Sequence, residues 1–140
     1  MILHSAEETI EYGHDFAKKV KGGEVPALTG DLGSGKTTFI KGLAEGLKVA
    51  SNITSPTFVI LKSYNGIIDD CKIEFVHIDA YRAETIEDIK SVGIEDYLDR
   101  NDVVVAIEWA EKIKNILPKN TININFKHLD EKSREIKVEK

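Results

Sequence analysis

The chain of 140 residues has a single cysteine, Cys71, and no long apolar run. One cysteine excludes an internal disulfide and a thiolate metal cluster, and it fits a reducing compartment. No stretch approaches the ~18 apolar residues of a membrane-spanning helix, and residues 1–21 are polar and mixed in charge, unlike a signal peptide. We therefore expect a cytoplasmic protein with no membrane contact.

Positive charge is also scarce, since 19 lysines and arginines stand against 24 aspartates and glutamates, for a net charge of −5. This balance argues against a broad nucleic-acid-binding face, although a local basic patch or contact with RNA through a partner stays open. The hydrophobic fraction of 41% and the charged fraction of 31% are ordinary for a globular protein. The length predicts a single domain over residues 1–140, with a core large enough to be stable without disulfides or structural metals.

The sequence does contain a glycine-rich stretch inside residues 25–46. It matches the phosphate-binding pattern of Gly, four residues and Gly-Lys-Thr, which runs from Gly30 to Thr37. Such a turn wraps backbone N–H groups around a di- or triphosphate, while the next helix points its partly positive N-terminus at the same anion. The context fits, because a short apolar strand precedes the turn and apolar residues recur at helical spacing after it.

This pattern assigns roles to individual side chains. Lys36 is expected to reach the β- and γ-phosphates, and Thr37 to hold Mg²⁺. The residues predicted to bind the nucleotide in this loop are Asp31, Leu32, Gly33, Ser34, Gly35, Lys36, Thr37 and Thr38.

Two later strands end in acidic residues, and both acids are candidates for the same site. Asp79 ends the run that begins at Ile73, and Glu108 ends the apolar run that begins at Val103. In open α/β sheets the carboxyl ends of the strands line the ligand crevice. We assign Asp79 to Mg²⁺ and Glu108 to the attacking water close to the metal, with the alternative that one of the two is only a strand-end carboxylate in solvent.

The remaining pattern predicts an α/β fold of the P-loop NTPase type. Ser5 and Glu8 form a capping box for a first helix, and Asn65-Gly66 is a turn signal between two strands. A helix is expected over 84–90 and another over 109–116. The alternating tail over 121–138 predicts an antiparallel hairpin at one edge of a mostly parallel sheet flanked by helices.

Four residues have two interpretations each. Thr57, in Ser55-Pro-Thr-Phe58, is either a sensor of the γ-phosphate or part of an ordinary turn. Trp109 is either core packing or an aromatic wall beside the nucleotide, and Arg82 is either a phosphate contact or half of a surface ion pair. His77 alternates with Asp79 on a strand and could form a metal pair with it, but no further metal ligands are spaced nearby, which favours a histidine without metal.

The motifs that the sequence lacks indicate which nucleotide the loop would bind. The sequence has no Asn-Lys-x-Asp guanine-reading motif, and Asp79-Ala-Tyr-Arg82 is not the Asp-x-x-Gly of GTPase switches. It also lacks the Leu-Ser-Gly-Gly transporter signature and an arginine-rich kinase lid. ATP is therefore favoured over GTP by elimination.

Together these residues resemble the bacterial TsaE ATPases of tRNA threonylcarbamoyladenosine biosynthesis. The motifs that carry the resemblance are Gly30-Asp-Leu-Gly-Ser-Gly-Lys-Thr-Thr38, Ser55-Pro-Thr-Phe58, His77-Ile-Asp-Ala-Tyr-Arg82, Gly93-Ile-Glu-Asp-Tyr-Leu98 and Ile107-Glu-Trp-Ala-Glu111. Their order and spacing cover most of the chain. One departure is Ala110, which stands where the family pattern leads us to expect proline.

The resemblance implies a compact ATPase that uses Mg²⁺ and hydrolyses ATP slowly when alone. It also implies two partners, TsaB and TsaD, which together with a threonylcarbamoyl-adenylate synthase modify the adenosine next to the anticodon, and which the ATPase resets between turnovers. The tRNA would be contacted mainly through these partners. Residue by residue, the resemblance supports Lys36 on phosphate, Thr37 and Asp79 around the metal, Glu108 near the water, Thr57 as a switch and Trp109 beside the site.

Two other functions use the same loop. A small-molecule phosphotransferase would use Asp79 or Glu108 as the base, but the missing lid arginines and the short chain argue against it. A nucleotide-gated binding module would bind ATP while hydrolysis is incidental.

Overall fold

The structure is a computed structural model that describes residues 1–50, 53 and 61–139. Within these residues it contains seven strands: β1 (Ile2–Leu3), β2 (Val25–Gly30), β3 (Leu61–Ile68), β4 (Cys71–Asp79), β5 (Val103–Glu108), β6 (Thr121–His128) and β7 (Arg134–Glu139). They form one sheet in the order β1-β7-β6-β2-β5-β4-β3.

Helices lie before, between and after these strands. The α-helices are α1 (Ala6–Phe16), α2 (Lys36–Gly46) and α3 (Ile86–Lys90), and the 3-10 helices are Ala17–Lys19, Ile94–Asp96 and Ala110–Ile116. The start of α1 follows from its cap, since the Ser5 hydroxyl accepts the Glu8 N–H at 3.0 Å. Helix α3 begins with a complete capping box between Thr85 and Asp88.

The centre of the sheet is parallel and its outer strands are antiparallel. Strand β2 pairs in parallel with β5 and β6, and β5 pairs in parallel with β4. The β6–β7 and β3–β4 pairs are antiparallel. This confirms the predicted mostly parallel α/β fold with an antiparallel C-terminal hairpin. The short β1 adds a further antiparallel strand outside β7, which the sequence analysis did not predict.

Helices and sheet enclose one core on each face of the sheet. Phe16 of α1 and Phe39 of α2 pack on the first face, with ring centroids 5.5 Å apart. The second face is covered by α3 and the later 3-10 helices, represented by Ile89 and Ile113. Because β5 lies between both cores, all six of its residues are buried, as its apolar run indicates.

The predicted turn at Asn65-Gly66 is wrong. Both residues lie inside β3, where Asn65 pairs with Glu74 and Gly66 with Ile73. The chain reverses at Asp69 and Asp70, which have positive φ angles of 48° and 65°. Long-range pairing along the whole of β4 outweighs the local turn preference of the Asn-Gly pair, so the strand continues for two more residues after Gly66.

Helix lengths also differ from the sequence prediction. The helix predicted over 84–90 begins at Ile86, and the helix predicted over 109–116 is a 3-10 helix that begins at Ala110. The first α-helix ends at Phe16 and continues as a 3-10 turn. Thr57 and its Ser-Pro-Thr-Phe segment lie outside the described residues. In the described part of the chain, no helix is long and apolar enough to cross a membrane.

The contact between α1 and α2 leads to a stability prediction. A Cβ added at Gly42 would lie 2.8 Å from the carbonyl carbon of Ile10, which is backbone and cannot move aside. We expect Gly42→Ala to cost about 2 kcal/mol by overpacking, a fall in Tm of roughly 5–10 °C for a chain of this size. Thermal unfolding followed by circular dichroism measures the effect.

Lys41→Ala is the matched control, because Lys41 is the exposed neighbour on the same helix. Alanine is a better helix former than glycine by about 1 kcal/mol. A Tm for Gly42→Ala equal to or above that of the wild type would therefore contradict the close packing of the two helices.

Candidate functional site

The phosphate loop connects β2 to α2 at the carboxyl edge of the parallel strands. Gly35 is the N-cap residue of α2, with a left-handed φ of 103°, and no side chain of the described residues caps the helix. The backbone N–H groups of the first turn are therefore left for a ligand. Ser34 is buried, whereas Asp31, Leu32 and Gly33 are exposed on the rim of the loop.

Lys36 lies along the inner side of this loop and is only 5% exposed. Its Nζ donates hydrogen bonds to the carbonyl oxygens of Gly30 (2.6 Å) and Asp31 (2.8 Å). Burial lowers the pKa of Lys36, and the nearby acids, Glu108 foremost, oppose that shift. The carbonyl groups thus hold the ammonium group at the loop, where a phosphate would meet it.

Thr37 and Glu108 connect the loop to the neighbouring strand. The Thr37 hydroxyl donates to Glu108 Oε1 at 2.7 Å, and Glu108 Oε2 lies 2.6 Å from Nε2 of His77. Glu108 is 3% exposed and His77 is fully buried. A buried carboxyl group is costly unless its oxygens are hydrogen-bonded, and here both oxygens are.

Asp79 lies directly beside Glu108 because of strand register. In the parallel pair β4–β5, Asp79 is opposite Glu108 and His77 is opposite Ala106, so the three polar side chains share the α2 face of the sheet. Asp79 is half-buried and accepts the Tyr81 N–H at 2.9 Å. Burial raises the pKa of the Asp79 carboxyl, the Tyr81 hydrogen bond opposes that shift, and Glu108 adds to it.

Trp109 covers the lysine from the β5 side. The Lys36 Nζ is 4.2 Å from the centroid of the indole ring, and the centroid of the Tyr81 ring is 5.0 Å from that of Trp109. Trp109 has a left-handed φ of 60°, a strained backbone conformation that such a bulky residue rarely adopts. The half-buried ring thus lies beside the loop lysine and also contacts the second core, and its place beside a nucleotide stays a prediction.

The structure brings most of the predicted site residues together. Lys36, Thr37, Asp79, Glu108 and Trp109 meet at one edge of the sheet. Thr38 lies half-buried in the first turn of α2, and Leu32 points outward with 74% of its surface exposed.

Two residues at the site were not selected from the sequence. His77 and Asp79 are two residues apart on β4 and therefore share one face of the strand. This spacing could have predicted from the sequence that His77 lies on the same side as the site. Arg134 had no such signal. Its guanidinium lies against Gly35, since a Cβ there would be 2.7 Å from Arg134 Nη1, whereas Arg82, the arginine favoured from the sequence, is exposed.

The residues present suit a magnesium nucleotide. The hydroxyl of Thr37 and the carboxyl groups of Asp79 and Glu108 are the hard oxygen ligands that Mg²⁺ prefers. Among the described residues, no group of three or more histidines, cysteines, aspartates and glutamates forms a metal cage. Mg²⁺ takes one or two protein carboxylates and completes its shell with phosphate oxygens and water. The roles of these residues stay predictions.

A phosphate loop at the carboxyl edge of a mostly parallel α/β sheet defines the class of P-loop NTPase-like proteins. Within that class, residues 3–136 match the family model described as "Threonylcarbamoyl adenosine biosynthesis protein TsaE". The chain belongs to the TsaE family, whose members act in tRNA threonylcarbamoyladenosine biosynthesis.

Individual relatives agree with this assignment over nearly the whole chain. A protein of Treponema pallidum named "tRNA threonylcarbamoyladenosine biosynthesis protein TsaE" is 36% identical over 137 residues, covering 98% of this chain and 97% of its own length. A Bacillus subtilis protein of the same name is 39% identical, over 93% of this chain and 78% of its own. The crystal structure of Bacillus subtilis YdiB superposes with a TM-score of 0.75 at 36% identity, covering 97% of this chain and 80% of that one.

The desolvated Asp79 leads to a prediction about pH. Its folded pKa is above the ordinary value of 3.8, so the folded protein binds the proton more tightly than the unfolded chain does. Asp79 therefore favours folding most when protonated, and this contribution is lost as pH rises through the raised pKa. We expect Asp79→Asn, which keeps an acceptor for the Tyr81 N–H, to unfold at higher urea concentration than the wild type at pH 7.

The advantage of the variant should shrink as pH falls from 7 toward 4. Glu45→Gln, an exposed site on α2, is the control for loss of one negative charge. An Asp79→Asn protein less stable than the wild type at pH 7 would show that the aspartate is stabilised by its surroundings, contrary to the burial argument.

Proposed function

We propose that this chain is a P-loop ATPase that binds and hydrolyses Mg-ATP during formation of threonylcarbamoyladenosine in tRNA. The observation that carries the proposal is the 2.7 Å hydrogen bond from Thr37 to Glu108, with Asp79 in register beside Glu108. It joins the phosphate loop to two strand-end carboxyl groups, the arrangement on which nucleotide hydrolysis at such loops relies. Membership of the TsaE family supplies the pathway.

Each residue has a role that follows from its position. Lys36 neutralises charge on the β- and γ-phosphates, and its hydrogen bonds to loop carbonyls orient it before the nucleotide arrives. Thr37, Asp79 and Glu108 offer oxygen ligands for Mg²⁺, which when bound neutralises charge on the phosphate oxygens. Glu108 also orients the attacking water, with His77 Nε2 holding its second oxygen.

We infer further that the ATPase serves the partner proteins TsaB and TsaD and resets them between turnovers. The rim of the loop is open, and the exposed Leu32 presents an apolar surface there that a partner would cover. The net charge of −5 fits a protein that contacts tRNA mainly through these partners.

One observation favours a second function, the nucleotide-gated binding module. Both oxygens of Glu108 are hydrogen-bonded inside the protein, to Thr37 and to His77. A carboxyl group held in this way has to exchange one of these bonds before it can orient a water molecule. If Glu108 keeps both hydrogen bonds and orients no water, ATP binding without hydrolysis would be the event that changes the state of the partner proteins.

The first test concerns nucleotide binding. At about 100 times its Kd, a ligand stabilises the folded state by about 2.7 kcal/mol, which for this chain is roughly a 10 °C rise in Tm. We expect Mg-ATP to produce this rise with the wild type, Mg-GTP to produce much less, and Lys36→Ala to abolish it. The measurement is thermal unfolding with and without nucleotide, and Lys41→Ala on the same helix is the control.

A full Mg-ATP shift in Lys36→Ala would contradict the assigned role of the loop lysine. No shift with the wild type would contradict nucleotide binding itself, and with it the proposed function.

The second test is tRNA modification over many turnovers in a reconstituted system with TsaB, TsaD and the synthase. Glu108→Gln keeps the size of the side chain and an oxygen that can accept the Thr37 hydrogen bond. We expect the wild type to sustain repeated rounds of tRNA modification. With the Glu108→Gln protein, or without this chain, we expect modification to stop after the first round. Glu45→Gln, exposed on α2, is the matched control.

A Glu108→Gln protein that binds ATP without hydrolysing it and still supports repeated rounds would favour the gated module. Equal modification in every mixture, including the one without this chain, would overturn the proposed pathway role.

A further inference from the structure

A tight turn over residues 80–83 follows Asp79 at the end of β4. The Ala80 N–H donates to the carbonyl oxygen of Glu108 at 3.1 Å, so pairing with β5 continues one residue beyond the strand. The Ala83 N–H then donates to the carbonyl oxygen of Ala80 at 3.1 Å and closes the turn. Because Asp79 is the residue directly before this turn, the path of the turn sets the surroundings of its carboxyl group.

One oxygen of Asp79 is bound to the same turn. Asp79 Oδ1 accepts the Tyr81 N–H at 2.9 Å, a bond from a side chain to a backbone N–H two residues further on. Among the described residues, no group donates a hydrogen bond to Asp79 Oδ2. The Tyr81 backbone therefore fixes the rotation of the carboxyl group and leaves the second oxygen for a metal ion.

Lys112, on the 3-10 helix Ala110–Ile116, holds this turn from outside. Its Nζ donates to the carbonyl oxygen of Tyr81 and lies 3.5 Å from that of Ala83, the long limit of a hydrogen bond. No backbone N–H in the described part of the chain donates to either carbonyl oxygen. The Nζ is also 5.4 Å from the centroid of the Tyr81 ring. The lysine therefore contacts Tyr81 through both its backbone and its side chain.

An ion pair does not explain the position of Lys112, because the ion pairs among the described residues involve other side chains. Holding a lysine side chain in one conformation costs up to about 2 kcal/mol of rotamer entropy. Lys114, on the same 3-10 helix, is also exposed, and its ammonium group has no hydrogen-bond or ion-pair partner among the described residues. The contact with the turn thus distinguishes Lys112 from its neighbour.

Lys112 also connects the two strand ends that carry the acids of the site. Its backbone N–H donates to the carbonyl oxygen of Trp109 at 3.1 Å, directly after Glu108, while its ammonium group binds the turn directly after Asp79. The rings of Trp109 and Tyr81 are in contact as well, with centroids 5.0 Å apart. Beyond the end of the β4–β5 register, these contacts hold the two segments together.

We propose that Lys112 is a positioning residue for the Mg²⁺ site. It fixes the turn over 80–83, and through the Tyr81 N–H it holds the Asp79 carboxyl group in the orientation that binds the metal. This inference rests on the proposed function, because it concerns the metal of the same nucleotide site. Lys112 acts through Asp79 and has no part in activating the water.

The test is titration calorimetry of the full chain with ADP, once with Mg²⁺ and once with EDTA. Loss of a group that orients a metal ligand weakens metal binding by about 10-fold or more. We therefore expect Lys112→Met to raise the Kd for ADP with Mg²⁺ by about 10-fold and to leave the Kd in EDTA unchanged. Lys112→Arg, which can donate to the same carbonyl oxygens, should restore most of the affinity. Lys114→Met, on the same helix, is the control.

A double variant tests whether Lys112 acts through Asp79. If it does, the two effects are not additive. Once Asp79→Asn has removed the metal ligand, we expect Lys112→Met to cause no further change in the Kd for ADP with Mg²⁺. The melting temperature of each variant without nucleotide shows whether it is folded, and Lys112→Gln takes the place of Lys112→Met if the latter is not.

Trp109 is the only tryptophan in the chain, so its fluorescence reports on the contact with Tyr81. We expect Lys112→Met to move the emission maximum to longer wavelength, because a released Tyr81 ring exposes the indole to water. Lys114→Met should leave the maximum in place. An emission maximum that Lys112→Met does not move would contradict the hold of Lys112 on Tyr81.

The outcomes separate the two proposals. If the wild type binds ADP neither with Mg²⁺ nor in EDTA, the proposed function and this inference fail together. Equal affinity of the wild type in both conditions would overturn the metal site and the inference with it. If the wild type needs Mg²⁺ for tight binding and Lys112→Met binds equally well, only the inference fails. Equal weakening with Mg²⁺ and in EDTA, or an undiminished effect in the Asp79→Asn background, would also overturn it.

Discussion

Parallel pairing of β5 with β2 on one side and with β4 on the other sets the position of nearly every polar group at the site. Glu108 ends β5 opposite both Leu28 of β2 and Asp79 of β4. Strand β2, which leads into the phosphate loop, is therefore the direct neighbour of the strand that carries Glu108 and the second neighbour of the strand that carries Asp79. The Thr37 hydroxyl reaches Glu108 only because this register holds, and a slip of one residue would turn the acids to the other face of the sheet.

The site concentrates features that a stable fold by itself would avoid. Lys36, His77 and Glu108 are buried polar groups, and Trp109 has a backbone conformation that costs on the order of 1–3 kcal/mol. The hydrogen bonds among these groups offset part of their desolvation, yet apolar residues of similar size would be cheaper to bury. All of these features lie within one short edge of the sheet. Buried ionisable groups and strained backbone conformations are concentrated at the binding and catalytic sites of proteins.

Charge around the loop is uneven, and this connects the fold to the proposed chemistry. Acidic side chains and an aromatic ring flank the loop on the β5 side, while an arginine flanks it on the hairpin side. The acidic side chains among these groups are the ones that we propose as ligands of Mg²⁺. The chain belongs to the TsaE family of tRNA threonylcarbamoyladenosine biosynthesis, and the rim of the loop, with the exposed Leu32, is accessible to the partners that we propose.

The sequence by itself determined the loop, the strand-end acids and the mostly parallel fold, because each of these depends on local spacing. Gly30 to Thr37 is a contiguous motif, and Asp79 and Glu108 each close a continuous run of strand residues. The Asn65-Gly66 turn failed because cross-strand pairing with β4 outweighs a two-residue preference. Tertiary structure alone decided that Arg134 contacts Gly35 and that His77 holds Glu108. Such contacts join distant segments whose approach depends on strand order and register, which are set by packing of the whole sheet and by no local pattern.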